Sequence, residues 1–300
     1  MDATHEVTTE EFEASVARML RRVKDPAMGF TGPGSLWWKV NSEMALHAAG
    51  PRALLLQFAH PMVAQGVADH SNFRRDLWGR TIRTFDTVYD LVFGSRDVAL
   101  KAARRIHRVH CHVHGTLPFD IGRHRAGTRY AANSIDLLAW VWATLYDSGS
   151  YAYERFVTPY VRDERERMYR EMRAQGELFG VPESYWPETA DGFATWMDRK
   201  IASDEIVVSP IGAELGRIFL NGETGPKSLS RLFKLLACGT LPEKLRRQFS
   251  LPWDFTTRAK FGAVAASIRV GVKVAPRPLR TVPKAMSAEL RWRVGSLLNA

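Results

Sequence analysis

The sequence predicts an all-α protein. Three observations carry that reading: apolar residues recur at three- and four-residue spacing along most of the chain, Gly and Pro punctuate it at helix-length intervals, and strand-like alternation is nearly absent. With 300 residues, of which 45% are hydrophobic, 25% charged and 11% aromatic, the composition is that of an ordinary globular chain able to bury a large core. No internal repeat, heptad run or long linker interrupts it, so one helical domain over residues 1–300 is expected.

The elements follow in chain order. Thr8 with Glu11 three residues later has the capping-box pattern, and Phe12, Val16, Met19, Leu20 and Val23 extend it into a helix over about 9–24. Residues 25–35 hold two prolines and three glycines and read as a loop. Helical spacing resumes over 36–49. Gly50-Pro51 closes that helix and opens the next at the favoured proline position, through Leu54, Leu55, Phe58 and Val63, and Pro61 is expected to kink it beside His60. Ser95 as N-cap, Asp97 in the first turn and Gly115 followed by Pro118 as the stop make 96–114 one helix. Asn133 and Asp136 open an apolar helix through Leu137, Leu138, Val141 and Leu145. Further helices are expected at about 162–179, 189–202, 205–220, 227–238, 254–272 and 284–298.

Charge and cysteine content narrow the function classes. The formal net charge is +10, but residues 269–300 hold seven basic side chains against the single acid Glu289, so the rest of the chain is only weakly basic. Without an aromatic platform or a known reading motif, this concentration argues against nucleic acid as a partner. The helix over 284–298 places Met286, Leu290, Val294 and Leu297 on one face beside Lys284, Arg291 and Arg293. Two readings stand for it: a helix packed on the body with cations outward, or peripheral contact with an anionic membrane surface. Two cysteines, Cys111 and Cys238, make no disulfide framework, and the acidic first residues do not resemble a secretion signal. A cytoplasmic location is the expectation. The apolar runs at 53–59 and 137–145 fall short of the roughly 20 residues of a membrane span.

Four of the nine histidines, His107, His110, His112 and His114, fall within eight residues. In a strand His110, His112 and His114 would share a face; in a helix His107, His110 and His114 would, at i, i+3 and i+7. The Ser95 cap and Gly115 stop favour the helix. Three readings follow: a solvated basic helix, a non-haem metal site using His107, His110 and His114 with a carboxylate from another helix, or one imidazole acting as axial ligand of a haem iron.

The motifs around this segment stand in a specific order. They run from Asn41-Ser42-Glu43 through Gly50-Pro51-Arg52, Gln57-Phe58-Ala59-His60-Pro61 and Gly66-Val67-Ala68-Asp69-His70-Ser71. Arg80-Thr81-Ile82-Arg83-Thr84, Val92-Phe93-Gly94, the His110 segment, Tyr130-Ala131-Ala132 and Trp140-Val141-Trp142-Ala143 complete the series. Over about 36–297 the chain resembles the catalytic domain of the bacterial rubber oxygenases (latex clearing proteins) and the fungal MpaB-type oxygenases. The resemblance implies an all-helical fold, haem b (iron protoporphyrin IX), dioxygen and a small hydrophobic, unsaturated or isoprenoid-like substrate. His110 matches the proximal ligand. The flanking positions, arginines in the family and propionate partners by that resemblance, are His107 and His114 here. Arg80, Arg83 and Thr84 match the distal set, with Arg83 in place of a lysine, and Trp142 stands where many relatives have histidine. A haem-binding or gas-sensing protein without turnover is the alternative that the altered flanks suggest. His60 and His70 read as helix-end histidines, the tryptophans Trp37, Trp38, Trp140 and Trp142 as core, and Cys111 as a small side chain turned away from His110 on the helix.

Overall fold

The computed structural model describes residues 5–23, 25–71, 76–222 and 227–298, with side chains throughout these except at 77, 78, 80, 81 and 295–298. The fold is all-α. Its first six helices are α1 (Thr9–Leu20), α2 (Leu36–Asn41), α3 (Gly50–Phe58), α4 (Pro61–His70), α5 (Leu77–Phe93) and α6 (Arg96–His110). A small ribbon of β1 (His114–Thr116) and β2 (Arg129–Ala131) leads into α7 (Ile135–Phe156), α8 (Arg162–Gly176), α9 (Ala190–Ala202), α10 (Pro210–Asn221) and α11 (Lys227–Thr240). The chain finishes with α12 (Glu243–Gln248), α13 (Phe255–Val274), α14 (Arg277–Arg280) and α15 (Pro283–Leu298).

The start of α1 follows its capping box: Thr8 Oγ1 accepts from the Glu11 amide at 3.2 Å, and Glu11 accepts from the Thr8 amide at 2.8 Å. That cap seats Phe12, Val16 and Met19 in a buried cluster that extends from Val7 to Ala288. Central α7 buries Trp140 and Trp142, whose indole N–H groups donate to Leu56 O and Met172 O, each at 3.2 Å. Both tryptophans are therefore core, as their composition suggested.

Four expectations need correction. The helix expected over 36–49 divides into α2 and a 3-10 turn, Met44–Ala49. Pro61 does not kink a continuous helix; it ends one and starts another. His60 adopts extended dihedrals (φ −88°, ψ 117°) as N-cap of α4, with Pro61 in its first turn, because a residue before proline avoids the helical region and proline suits the first helical position. α5 has no counterpart among the sequence-predicted helices, although Asp76 caps it by accepting from the Gly79 amide at 2.9 Å. Finally, the histidine helix stops at His110 rather than at 114. The amides of Cys111, His112 and Val113 turn back onto His107, Val109 and His110, and Val113 O then accepts from the Ala132 amide at 2.8 Å. β1 pairs antiparallel with β2, His114 opposite Ala131.

α10 crosses α3 with Gly212 at the contact, where an added Cβ would press into the Phe58 carbonyl. Backbone cannot yield as a flexible side chain can. Gly212→Ala is expected to lose about 1–3 kcal/mol of stability, seen as a lower thermal midpoint with unchanged helical circular dichroism at 20 °C or below. Among the described residues no helix is long and apolar enough to cross a membrane.

Candidate functional site

The walls of α4 and α7 enclose a cavity of about 220 Å³. Met62, Val63 and Val67 form one side and Leu137, Leu138 and Val141 the other. His110, the last residue of α6, lines it with its neighbour Val109, and Gln57, His70, Ser71 and Tyr130 supply its polar atoms. The His110 ring meets Phe179 edge-on at 5.8 Å between centroids, and its Nδ1 is shielded from solvent. An imidazole held at the end of a helix in an apolar enclosure is a ready metal or haem ligand.

The other helix histidines do not join it. His107 stacks on Phe12 with centroids 4.3 Å apart and planes 3° from parallel, and its Nε2 lies 3.5 Å from Cys111 Sγ. Burial among these groups pushes the His107 pKa down, against the pull of Glu13. His114 sits on β1 with its side chain exposed, and its carbonyl accepts from His70 Nε2 at 3.0 Å. Because α6 ends at His110, His114 leaves the helix, and with His107 turned onto Phe12 the expected His107/His110/His114 face does not form. Among the described residues no three His, Cys, Asp or Glu side chains converge to hold a metal.

The expected distal residues lie on α5. The side chain of Arg80 is outside the described ones. Arg83 is exposed and pairs with Asp76 at 2.9 Å, a contact that, with the Gly79 amide, holds the Asp76 carboxyl below its ordinary pKa. Thr84 is exposed as well. Neither Arg83 nor Thr84 lines the His110 cavity.

Two groupings had no role in the sequence reading. At the cavity edge the Tyr130 hydroxyl donates to Asp69 Oδ2 at 2.6 Å, and Gln65 Nε2 holds the other oxygen of Asp69 at 2.8 Å. Burial and the Asp69 carboxylate raise the Tyr130 pKa well above its ordinary value, so the phenol stays protonated. Gly66 and Gly115 make room for this ring: a Cβ would come within 3.3 Å of Tyr130 Cε2 at the first and 2.6 Å of Tyr130 Oη at the second. Gly115, read as a helix stop, is thus a strand residue whose lack of a side chain admits Tyr130. The motifs contained Tyr130 and Asp69, but a pair 61 positions apart has no local signature.

The second grouping surrounds Glu205. Its carboxylate accepts from Lys200 Nζ at 2.6 Å and pairs with Arg123 Nη2 at 3.0 Å, and His60 Nε2 stands 3.8 Å away. His124 donates to the Glu205 carbonyl at 3.0 Å. Burial alone would raise the Glu205 pKa, yet the contacts with His60 and Lys200 outweigh it and hold the group at about 2. Burial keeps His60 and His124 below the ordinary histidine pKa. His60, at the N-cap of α4, makes no side-chain capping bond, so its role is to tie the start of that cavity wall to Glu205.

The family model described as the ER-bound oxygenase mpaB/B'/rubber oxygenase catalytic domain matches residues 37–270, well over half of the chain. Compared with curated proteins and with solved structures, the chain finds no significant match. The match spans α3, α4, α6 and α7, the helices that build the His110 cavity, together with the Glu205 cluster that braces it. The chain belongs to the mpaB and rubber oxygenase catalytic-domain family, a family of oxygenases.

Proposed function

We propose that the protein is a haem-b-dependent oxygenase that uses dioxygen on a hydrophobic, unsaturated or isoprenoid-like substrate. The observation that carries this reading is His110, a helix-terminal imidazole on the wall of a largely apolar cavity. A b-type haem needs one protein nitrogen in an apolar enclosure and polar partners for its carboxylates. The first is supplied by His110 between the α4 and α7 walls. For the second, the family's flanking arginines are replaced by His107 and His114, which stand away from the cavity, and the polar edge of His70, Ser71 and Tyr130 is what the lining offers instead. The residues present fit the group in donor chemistry. In size, about 220 Å³ is below the ~300–1,000 Å³ of typical ligand sites, so uptake has to part the walls.

When bound, the haem iron supplies the activation of dioxygen. The chain's own contributions are distinct. His110 would supply the nitrogen that holds the iron; Met62, Val63, Val67, Leu137, Leu138 and Val141 exclude water and favour an apolar substrate. Tyr130, kept protonated and fixed by Asp69, presents a neutral hydroxyl at the cavity edge. The distal role that the resemblance gives to Arg80, Arg83 and Thr84 is supported by the motif alone. The reading is tested by titrating the purified chain with haemin. A Soret band that saturates at one haem per chain, a raised thermal midpoint and oxygen uptake with an unsaturated isoprenoid are expected. A saturating band without oxygen uptake would leave a haem-binding protein that does not turn over; no saturable band at all would remove the haem reading.

A further inference from the structure

Helix α13 carries two apolar faces. One is buried: Phe261 and Ala265, with Val264 and Ile268 beside them, pack into a cluster with Phe156 and Leu236. The other belongs to Phe255, Ala259, Ala263, Ala266, Val270 and Val274, spaced by three or four residues along the whole helix and all exposed. Exposure reaches 86% for Phe255, 58% for Val270 and 74% for Val274. At 3.6 residues per turn these six fall within an arc of about 100° on the side opposite Phe261.

Charge accompanies this second face. Arg258, Lys260, Arg269 and Lys273 lie along α13, and the helix contains no Asp or Glu. The acid that adjoins it in sequence is the N-cap Asp254, whose Oδ1 accepts from the Thr257 amide at 2.7 Å and whose charge acts on Lys260 and Arg258 in the first turns. Arg258 and Arg269 donate to the carbonyls of Trp253 and Arg155, contacts that orient the guanidinium groups without neutralising them. The basic C-terminal segment, for which the sequence left membrane contact as one of two readings, is different. There Lys284 pairs with Asp90 at 2.6 Å, Arg277 pairs with Glu289, and Arg291 donates to Ala27 O and Phe93 O at 2.8 and 2.7 Å. Those cations are engaged with the protein itself.

A continuous exposed apolar stripe flanked by cations is the pattern of a helix that lies in a membrane interface. We propose that α13 docks this protein on an anionic bilayer surface, with the Phe255–Val274 face in the interface and Arg258, Lys260, Arg269 and Lys273 among the headgroups. A second copy of the chain is the competing occupant, and charge decides against it: a two-fold contact through this face would set four cations against four. This inference stands whether or not the chain takes up haem.

The test is flotation of the full chain with vesicles of phosphatidylcholine alone and of phosphatidylcholine with phosphatidylglycerol. Binding is expected to the anionic vesicles and to weaken with added salt. Lys273→Gln should weaken partitioning about fivefold, the effect of one cation near the surface. The double variant Phe255→Asp, Val270→Asp should abolish it while leaving the thermal midpoint within about 2 °C, since both side chains are exposed. Absence of binding to anionic vesicles, or binding that survives the double variant, overturns the proposal. So does a dimer in light scattering that the double variant dissociates, because the face would then belong to a second copy.

Discussion

His110→Ala is expected to abolish stoichiometric haem uptake, with affinity falling by more than about 100-fold, the upper range for loss of a group that only supports a ligand. His112→Ala should leave the Soret band in place, because His112 lies in the exposed turn after α6. His107→Ala should also retain it. That change removes a ring stacked on Phe12, so its effect belongs to stability, at about 1 kcal/mol. His70 is the informative control, since it lines the same cavity from α4 while its Nε2 is held by the His114 carbonyl. Added imidazole should restore the band in His110→Ala by occupying the vacated position. If His70→Ala erases the band and His110→Ala spares it, the iron-ligand assignment moves to α4.

Glu205→Ala is expected to produce the largest loss of stability from a single side chain outside the apolar core. The change leaves Lys200, a partly buried ammonium, and the nearby Arg123 without their common acceptor. Breaking a buried ion pair from one side costs about 3–5 kcal/mol, which at roughly 2 °C per kcal/mol lowers the thermal midpoint by about 6–10 °C. His60 would lose the carboxylate beside it at the start of α4, so haem affinity should fall together with stability. Glu205→Gln keeps an acceptor oxygen and is expected to recover part of the loss. A midpoint unchanged in Glu205→Ala would show that the cluster does not brace the fold.

The same cluster sets a pH dependence. Glu205 has its carboxyl held at about 2 in the fold against 4.5 when unperturbed. The unfolded chain therefore binds a proton that the folded chain refuses, and stability of about 3 kcal/mol is present above pH 4.5 and lost as pH falls toward 2. His60 acts in the same direction at higher pH, because burial holds it below the ordinary 6.5 and the unfolded chain protonates first. Unfolding midpoints should decline from about pH 6.5 downward, less so in Glu205→Gln.

Local chemistry in the sequence was enough for much of the fold. The Thr8 and Glu11 cap, the Ser95 start of α6, the proline at the start of α3 and the apolar spacing of α7 depend on neighbours within one or two turns, and each appears in place. Nearby residues left the crowded histidines open to three readings, and it was the ordered motifs of the family resemblance that pointed to His110. The end of α6 was beyond such reasoning, because it depends on Val113 and the β1 strand finding β2, with partners from 13 to 19 positions away. That pairing carries His114 off the helix to the outside, while His107, still on α6, is taken up by its stack on Phe12, and of the three histidines only His110 lines the cavity. The Glu205 cluster draws on residues 60, 123, 124, 200 and 205, so no window of the chain displays it.

What the sequence by itself determined was therefore the helical class and most helix starts, consequences of hydrogen bonding and apolar spacing within a few residues, while His110 was named as candidate ligand through the motif resemblance. Only the tertiary structure decided which side chains meet, which of α13's two apolar faces is covered, and where the cavity's polar edge lies. Those are properties of surfaces brought together from distant segments, where burial and pairing, rather than propensity, set the outcome.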